Sequence, residues 1–193
     1  MSLFHKSFED AQFTYKNFIN LSDNELIEVL SWRNSDFTRK WMKNKNIISE
    51  ESHLLYCKHL NEQNTIAHWR LSYNQRCIGV ISINEYFMDK NSCEWGFYLN
   101  EERLPEDSLI IFYASLRHFF EILSLSTLHG SVKMNNKAAM ILNKYFKFTE
   151  VEHKIIEGES YSILKLDQRT WMESKITLEQ LISGFFHFYT SNK

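Results

Sequence analysis

Apolar residues in this chain recur at two periods, and the switches between them mark its elements. Phe13, Tyr15 and Phe18 with Ile19 suggest a first strand. Ser22-Asp23-Asn24-Glu25 then reads as a capping box, in which the serine oxygen accepts from the backbone three residues on and Glu25 reaches back to the cap. Leu26, Val29 and Leu30 follow at helical spacing, with Glu25 and Glu28 outward, and Trp32-Arg33-Asn34 ends the helix. Phe37 to Met42 predicts a short second helix, and Ser49 caps a third that runs to about Leu60. Residues 65–73 and 76–84 read as antiparallel strands joined at Tyr73-Asn74-Gln75-Arg76. Simple alternation puts Cys77, Gly79, Ile81 and Ile83 on one face of the second strand, and Ile78, Val80 and Ser82 on the other.

The middle of the chain reads as strand, loop, long helix, strand, helix. The strand is Cys93 to Leu99, the loop Asn100 to Asp107, and the helix Ser108 to Leu123. Leu109, Phe112, Leu116, Phe119 and Leu123 make that helix apolar on most of its circumference, which places it inside against a sheet. Thr127 to Lys133 is the next strand, and Asn135-Asn136 cap the helix after it. Ile155 to Tyr161 forms a hairpin between two final strands. Thr177-Leu178-Glu179-Gln180 is another capping box, and Leu178, Leu181, Ile182, Phe185 and Tyr189 follow at helical spacing. That helix either packs on its own domain or forms a homodimer contact. Residues 1–11, polar with scattered aromatics, read as a loose arm or a tag remnant. The expected organisation is an arm at 1–11, an α/β domain at 12–168 and a helical extension at 169–193.

Composition narrows the picture. A chain of 193 residues, 44% hydrophobic and 15% aromatic, is long enough to bury a substantial core. A net charge of −2 gives no reason to expect a nucleic-acid partner. Cys57, Cys77 and Cys93 are odd in number and lack metal-ligand spacing, so they read as reduced thiols of a cytoplasmic protein. His5, His59, His68, His118, His129, His153 and His187 form no ligand-spaced cluster, and no metal is expected. No signal-like start and no run of about 18 apolar residues is present, so no membrane partner is expected. With one proline and five glycines, the chain contains neither a GxGxxG fingerprint nor a P-loop.

Two places carry candidate chemistry. Alternation on 92–99 puts Glu94, Gly96 and Tyr98 on one face, where the missing side chain lets a ligand approach the backbone. Glu94 reads as a general base or as a solvated strand residue, and Tyr98 as a contact or as core. Upstream, Trp32, Arg33, Asn34, Trp41 and Met42 form an aromatic and cationic cluster. A nucleotide-sugar needs an aromatic face for its base and a guanidinium for its diphosphate. Equally, both tryptophans could be core and Arg33 a surface ion-pair former.

From Ser92 to Phe148 the order of elements resembles the core of the GCN5-related N-acetyltransferases, which move an acetyl group from acetyl-CoA to an amine. Trp32-Arg33-Asn34 and Arg39-Lys40-Trp41-Met42, with Ile48-Ser49 and His53, resemble one branch, the N-acetyltransferases of pseudaminic acid biosynthesis. These acylate the 4-amino group of a UDP-linked dideoxy-aminosugar. Together the matches span roughly Phe13 to Leu166. The resemblance implies a mostly antiparallel, twisted sheet with a splayed central parallel pair and helices on both faces. It places the backbone of Phe97, Tyr98 and Leu99 on the pantetheine arm, and Asn135 and Asn136 near that arm. It implies that Glu94 takes the proton of the amine, that Ser82 lies on the substrate side, and that His53 lies near the nucleotide.

At two places the sequence departs from that family. The pyrophosphate loop, glycine-rich in relatives, is here Arg103-Leu104-Pro105-Glu106-Asp107-Ser108, with Glu106 and Ser108 where glycines would stand. Unit charges 4 Å apart repel by about 4 kcal/mol at an effective dielectric of 20. CoA therefore requires Glu106 and Asp107 to point outward and Arg103 or a lysine to face the phosphates, unless the carboxylates cap the helix themselves. The second departure is Asn143, where many relatives carry the tyrosine that protonates the leaving thiolate; an amide donates a hydrogen bond but not a proton. The expected function is acetyl-CoA-dependent N-acetylation of a small-molecule amine, in the first place a UDP-linked 4-amino-4,6-dideoxy sugar. The alternatives are another amine, such as a protein N-terminus or a polyamine, or a degenerate binding and assembly module.

Overall fold

Eight strands form one sheet in the order β1-β2-β3-β4-β5-β6-β8-β7. They are β1 (Phe8–Glu9), β2 (Phe13–Asn17), β3 (Ala67–Tyr73), β4 (Arg76–Phe87), β5 (Ser92–Leu99), β6 (Thr127–Lys133), β7 (Thr149–Ile156) and β8 (Glu159–Asp167). The β1–β2, β2–β3, β3–β4, β6–β8 and β7–β8 ladders are antiparallel, and β5–β6 is parallel. The helices are α1 (Asp23–Asn34), α2 (Asp36–Arg39), α3 (Glu50–His59), α4 (Asp107–Arg117), α5 (Lys137–Tyr145), α6 (Gln168–Ser174) and α7 (Leu178–Ser191). The computed structural model describes residues 3–191, and side chains within 4–185. The chain divides into a unit of Met1–Tyr86 with Trp95–Ala114 and a unit of Phe87–Glu94 with Ser115–Lys193.

In the first unit, both bonds of the Ser22–Glu25 capping box are made and start α1. Its Leu26, Val29 and Trp32 pack with Phe18, Cys57 of α3, Leu60 and Val80 of β4, and Tyr98 of β5 lies against this cluster. On the other side of β5, Trp95 and Phe97 meet Phe112 of α4, with ring centroids 5.0 and 5.9 Å apart. Alternation along β5 thus gives one face to α1 and α3 and the other to α4. The second helix is shorter than expected. Ser35 caps α2 at Asp36 and the helix stops at Arg39, leaving Trp41 and Met42 beyond it.

Two expectations fail in this unit. The alternation assigned to β4 breaks at Ile78. Leu71 pairs with Gly79 but Ser72 pairs with Cys77, so Ile78 is a bulge residue. Cys77 consequently packs on the Val80 side, with Arg70 Nε donating to its sulfur at 3.2 Å. Nor is the N-terminal arm loose. β1 pairs with β2, Phe4 is buried edge-on to Tyr86 at 4.8 Å, and Trp69 Nε1 donates to the Lys6 carbonyl. Phe4, one of the aromatics scattered through 1–11, has a core partner far away in sequence.

In the second unit, the long helix does not stay α-helical to Leu123. From His118 to Ile122 it is a π-helical turn, closed by Leu123 N donating to the His118 carbonyl at 2.9 Å. Asn136, and not Asn135, is the N-cap of α5, accepting from Ala139 N at 3.1 Å. The Thr177–Gln180 capping box is formed by both reciprocal bonds. Leu178 and Leu181 of α7 are buried, and Phe185 lies edge-on to Tyr145 of α5 at 5.1 Å. The face expected as a possible dimer contact is therefore occupied at these positions by its own chain; the Tyr189 side chain lies outside the described residues. Tyr145, Phe146, Trp171, Ile176 and Leu181 line a cavity of about 180 Å³ there. Among the described residues, no helix is long and apolar enough to cross a membrane.

Candidate active site

The parallel ladder consists of Ser92↔Thr127, Cys93↔Leu128 and Glu94↔His129. It ends at Glu94, whereas β5 continues to Leu99. Glu94 is half-buried at that last pair, and its Oε1 accepts a hydrogen bond from Ser131 Oγ at 3.2 Å. Ser131 was not foreseen as a partner, because nothing local in the sequence ties it to a residue 37 positions away. His129 is kept below its ordinary pKa, chiefly by burial, so at neutral pH it is a neutral ring beside Glu94.

Two positions after Glu94 lies Gly96. Ser82 Oγ donates to the Gly96 carbonyl at 3.2 Å, and a Cβ on Gly96 would meet Asn84 Nδ2 at 3.3 Å. Ser82 thus serves β5 directly, on the face it shares with Val80. Tyr98 lies on that face too, and burial pushes its phenol well above the ordinary range. β4 and β5 come close at Gly79, where a Cβ would stand 2.2 Å from the Tyr98 carbonyl oxygen. Asn100 ties off the strand, its N–H on the Ile78 carbonyl at 3.0 Å and its side chain on the Cys77 carbonyl at 3.2 Å.

The loop before α4 accounts for one of its two carboxylates. Asp107 does not point outward. It is fully buried, paired through both oxygens with the Arg76 guanidinium, and accepts from Leu104 N at 2.7 Å. A compensated carboxylate repels a phosphate far less than the free one assumed from sequence. Glu106 starts the helix through its carbonyl, which accepts from Leu109 N and Ile110 N, while Ser108 is half-buried in the first turn. Arg103 stacks over Phe37, 3.5 Å from the ring centroid.

Among the upstream residues, the structure separates core from surface. Trp32 is buried in the cluster with Phe18 and Val29, so it offers no face to a base. His53 is buried as well, bonded to the Leu26 backbone, 3.6 Å from the Cys57 sulfur and edge-on to Phe18; burial lowers its pKa. His53, which the resemblance put near the nucleotide, is core instead, and for Trp32 the core alternative is the one the structure shows, each being turned inward on its own helix. Asn34 is committed to the backbone of Ile48, donating to its carbonyl at 2.8 Å and accepting from its N–H at 3.0 Å. Trp41 and Met42 stay half-buried, with Lys40 Nζ 5.4 Å from the Trp41 ring. Arg33 Nη2 donates to the Asn44 carbonyl, and its Nη1 is buried without a hydrogen-bond partner. Asn143 is buried and donates back to the Ala139 carbonyl of its own helix at 2.8 Å. Asn135 precedes the Asn136 cap, and half-buried Asn136 is occupied at the first turn of α5.

No family model matches the chain. Acetyltransferase PseH of Campylobacter jejuni (strain 81-176) is 30% identical over 134 residues, 69% of this chain and 83% of that protein. The chain belongs to the GCN5-related N-acetyltransferases. Membership makes it an N-acetyltransferase, and acetyl-CoA is the donor of that family. Solved structures agree on the fold of this acetyltransferase. C. jejuni PseH in complex with acetyl coenzyme A superposes with a TM-score of 0.65 at 22% identity, over 81% of this chain and 99% of that one. The spermidine N-acetyltransferase of Vibrio cholerae, in complex with CoA and spermine, gives 0.73 at 19% identity, over 84% and 99%.

Proposed function

We propose that this acetyltransferase moves the acetyl group of acetyl-CoA to the 4-amino group of a UDP-linked 4-amino-4,6-dideoxy sugar. The observation that carries the reading is the end of the β5–β6 ladder at Glu94, which places a half-buried carboxylate beside a strand whose next face residue is a glycine. Acetyl-CoA fits this strand: Gly96 presents no side chain, and the acid nearest the first turn of α4, Asp107, is neutralised by Arg76. When bound, it supplies an acetyl group activated as a thioester.

Glu94 accepts a proton from the ammonium form of the acceptor, freeing the nitrogen lone pair for attack. Ser131 orients the carboxylate through its hydroxyl. Backbone N–H groups of Phe97 to Leu99 hold the thioester carbonyl and stabilise charge that develops on its oxygen. The leaving group would be a thiolate, which a pKa near the 8.5 of a cysteine permits without a tyrosine at position 143, and it would take up the second proton that the nitrogen gives up as the amide forms. Similarity to PseH favours the sugar acceptor, whereas the structural likeness to spermidine acetyltransferases favours a polyamine as the second reading.

The test is a mass-spectrometric assay with acetyl-CoA and either the UDP-aminosugar or spermidine. Acetylation of the sugar at a kcat/KM at least tenfold above that of spermidine is expected. Transfer to spermidine alone overturns the acceptor assignment, and failure to bind acetyl-CoA at millimolar concentration overturns the transferase reading.

A further inference from the structure

The cavity where the end of α5 meets α6 and α7 shares no residue with the proposed donor and acceptor sites. Besides the five residues already named, Lys147 and Ser174 line its volume of about 180 Å³. Three of its walls are aromatic. Tyr145 and Phe146 stand edge-on to each other with ring centroids 5.6 Å apart, and Trp171 lies 6.5 Å from Phe146.

These walls are fixed by bonds outside the cavity. Trp171 Nε1 donates to Glu121 Oε1 at 3.1 Å, and Glu121 Oε2 accepts from Lys175 Nζ at 2.8 Å. The π-helical turn that carries Glu121 is tied in turn to the start of α6, where Gln168 Nε2 donates to the Phe120 carbonyl at 2.8 Å. Tyr145 is held as well, its Oη donating to the Leu181 carbonyl at 3.4 Å and its ring edge-on to Phe185. Walls fixed in this way do not close over the space between them, so the cavity is preformed, as small-molecule sites usually are.

Size and charge narrow the occupant. An apolar cavity of about 150 Å³ holds one benzene ring. About 180 Å³ therefore takes a single ring with a short substituent. Aromatic walls favour an aromatic guest, whose edges meet their faces. Lys147 is the charged residue of the lining; it is exposed and makes no ion pair among the described residues. The carboxylate beside Ser174, Glu173, is taken by Arg169 Nε at 2.7 Å. An anionic substituent thus meets an uncommitted cation at the rim.

We propose that this cavity binds a small aromatic carboxylate, with its ring among Tyr145, Phe146 and Trp171 and its charge at Lys147. The site goes beyond the transfer chemistry and does not rest on the acetyltransferase reading. An occupant contacts α5, α6 and α7 at once and stabilises the folded chain by mass action.

Phenylacetate is the probe, titrated calorimetrically into the full chain. One molecule per chain is expected to bind, with a Kd of about 1 mM or tighter, and Tm should rise with its concentration. Phenylacetamide has the same ring without the charge. It should bind about threefold more weakly, the worth of an ion pair at an exposed rim. Lys147→Gln should weaken phenylacetate by the same factor and leave phenylacetamide unchanged. Ile176→Trp brings a ring of the protein's own to the cavity from a position that is 38% exposed, and should abolish binding. Should that variant melt early, the Lys147→Gln comparison decides alone. Saturating acetyl-CoA should leave phenylacetate binding as it is. No binding at about 10 mM phenylacetate overturns the proposal, and so does full binding by a folded Ile176→Trp variant. A preference for the charged probe that survives Lys147→Gln also overturns it. Displacement by acetyl-CoA does the same, because it would put the probe in the donor cleft.

Discussion

At the scale of single residues, Glu94 and His118 show what burial does to function and to stability. Glu94→Gln keeps the size of the side chain and its hydrogen bond with Ser131 but removes the proton acceptor. Turnover should fall by roughly 10²–10⁴-fold, the range general-base catalysis supplies, with acetyl-CoA affinity unchanged. Equal turnover at saturating substrate would take Glu94 out of the mechanism. His118 has no exposed surface, and burial lowers its pKa to about 3. The unfolded chain therefore binds a proton there between about pH 6.5 and pH 3, and the folded chain does not. Stability contributed by the neutral ring is complete above pH 6.5 and is lost as pH falls towards 3, by an amount on the order of a few kcal/mol. Thermal melts should show Tm falling through that window, and a His118→Leu variant should show a flatter fall. Neither residue's role was equally visible in advance. Strand alternation marked the face of Glu94, but a histidine in an apolar run reads the same whether it is core or ligand.

At the scale of elements, local signals were legible and long-range ones were not. The Ser22 and Thr177 capping boxes and the β6 strand stand where periodicity placed them, because their causes lie within a few residues. The bulge at Ile78 was hidden, since Cys77 to Ile83 alternates acceptably in either register. Trp32 and His53 were hidden for a different reason: a tryptophan that stacks on a base and one that fills a core share a sequence signature. Asp107 was misjudged because Arg76, its partner, is 31 residues away. That pair can be tested. Asp107→Asn leaves the Arg76 guanidinium without its counter-charge and should cost about 1–3 kcal/mol, less than a fully buried pair because Arg76 is 38% exposed. Urea denaturation measures it, and a loss below a few tenths would show the pair to be incidental. Gly79→Ala probes the neighbouring strand contact. Its Cβ would fall 2.2 Å from the Tyr98 carbonyl oxygen and 2.9 Å from Ile111 Cδ1, so β4 and β5 must move apart where Phe97 to Leu99 are proposed to hold the thioester. Acetyl-CoA affinity should drop at least tenfold along with Tm, and an alanine variant with wild-type affinity would remove this stretch from the donor site.

At the scale of the whole molecule, the segment from Phe4 to β1 and helix α7 are both structural. In the first unit, Phe4 and β1 close over Tyr86 and the edge of β2, and Asn17 Nδ2 donates to the Phe4 carbonyl at 2.6 Å. In the second unit, Leu181 of α7 lines one cavity with buried Phe146 and Trp171, and Leu178 of the same helix is buried as well. Each buried leucine contributes about 1.5–3 kcal/mol. At roughly 2–4 °C per kcal/mol for a chain of this size, a protein ending at Lys175 should melt about 5–20 °C lower. Light scattering on the same truncated protein separates the two roles considered for this helix. If α7 serves its own unit, the native mass falls only by the residues removed. If it joins two copies, the mass halves and the loss of Tm depends on protein concentration, because dissociation then accompanies unfolding. The contacts of Phe185 with Tyr145, and of Tyr145 Oη with the Leu181 carbonyl at 3.4 Å, predict the first outcome.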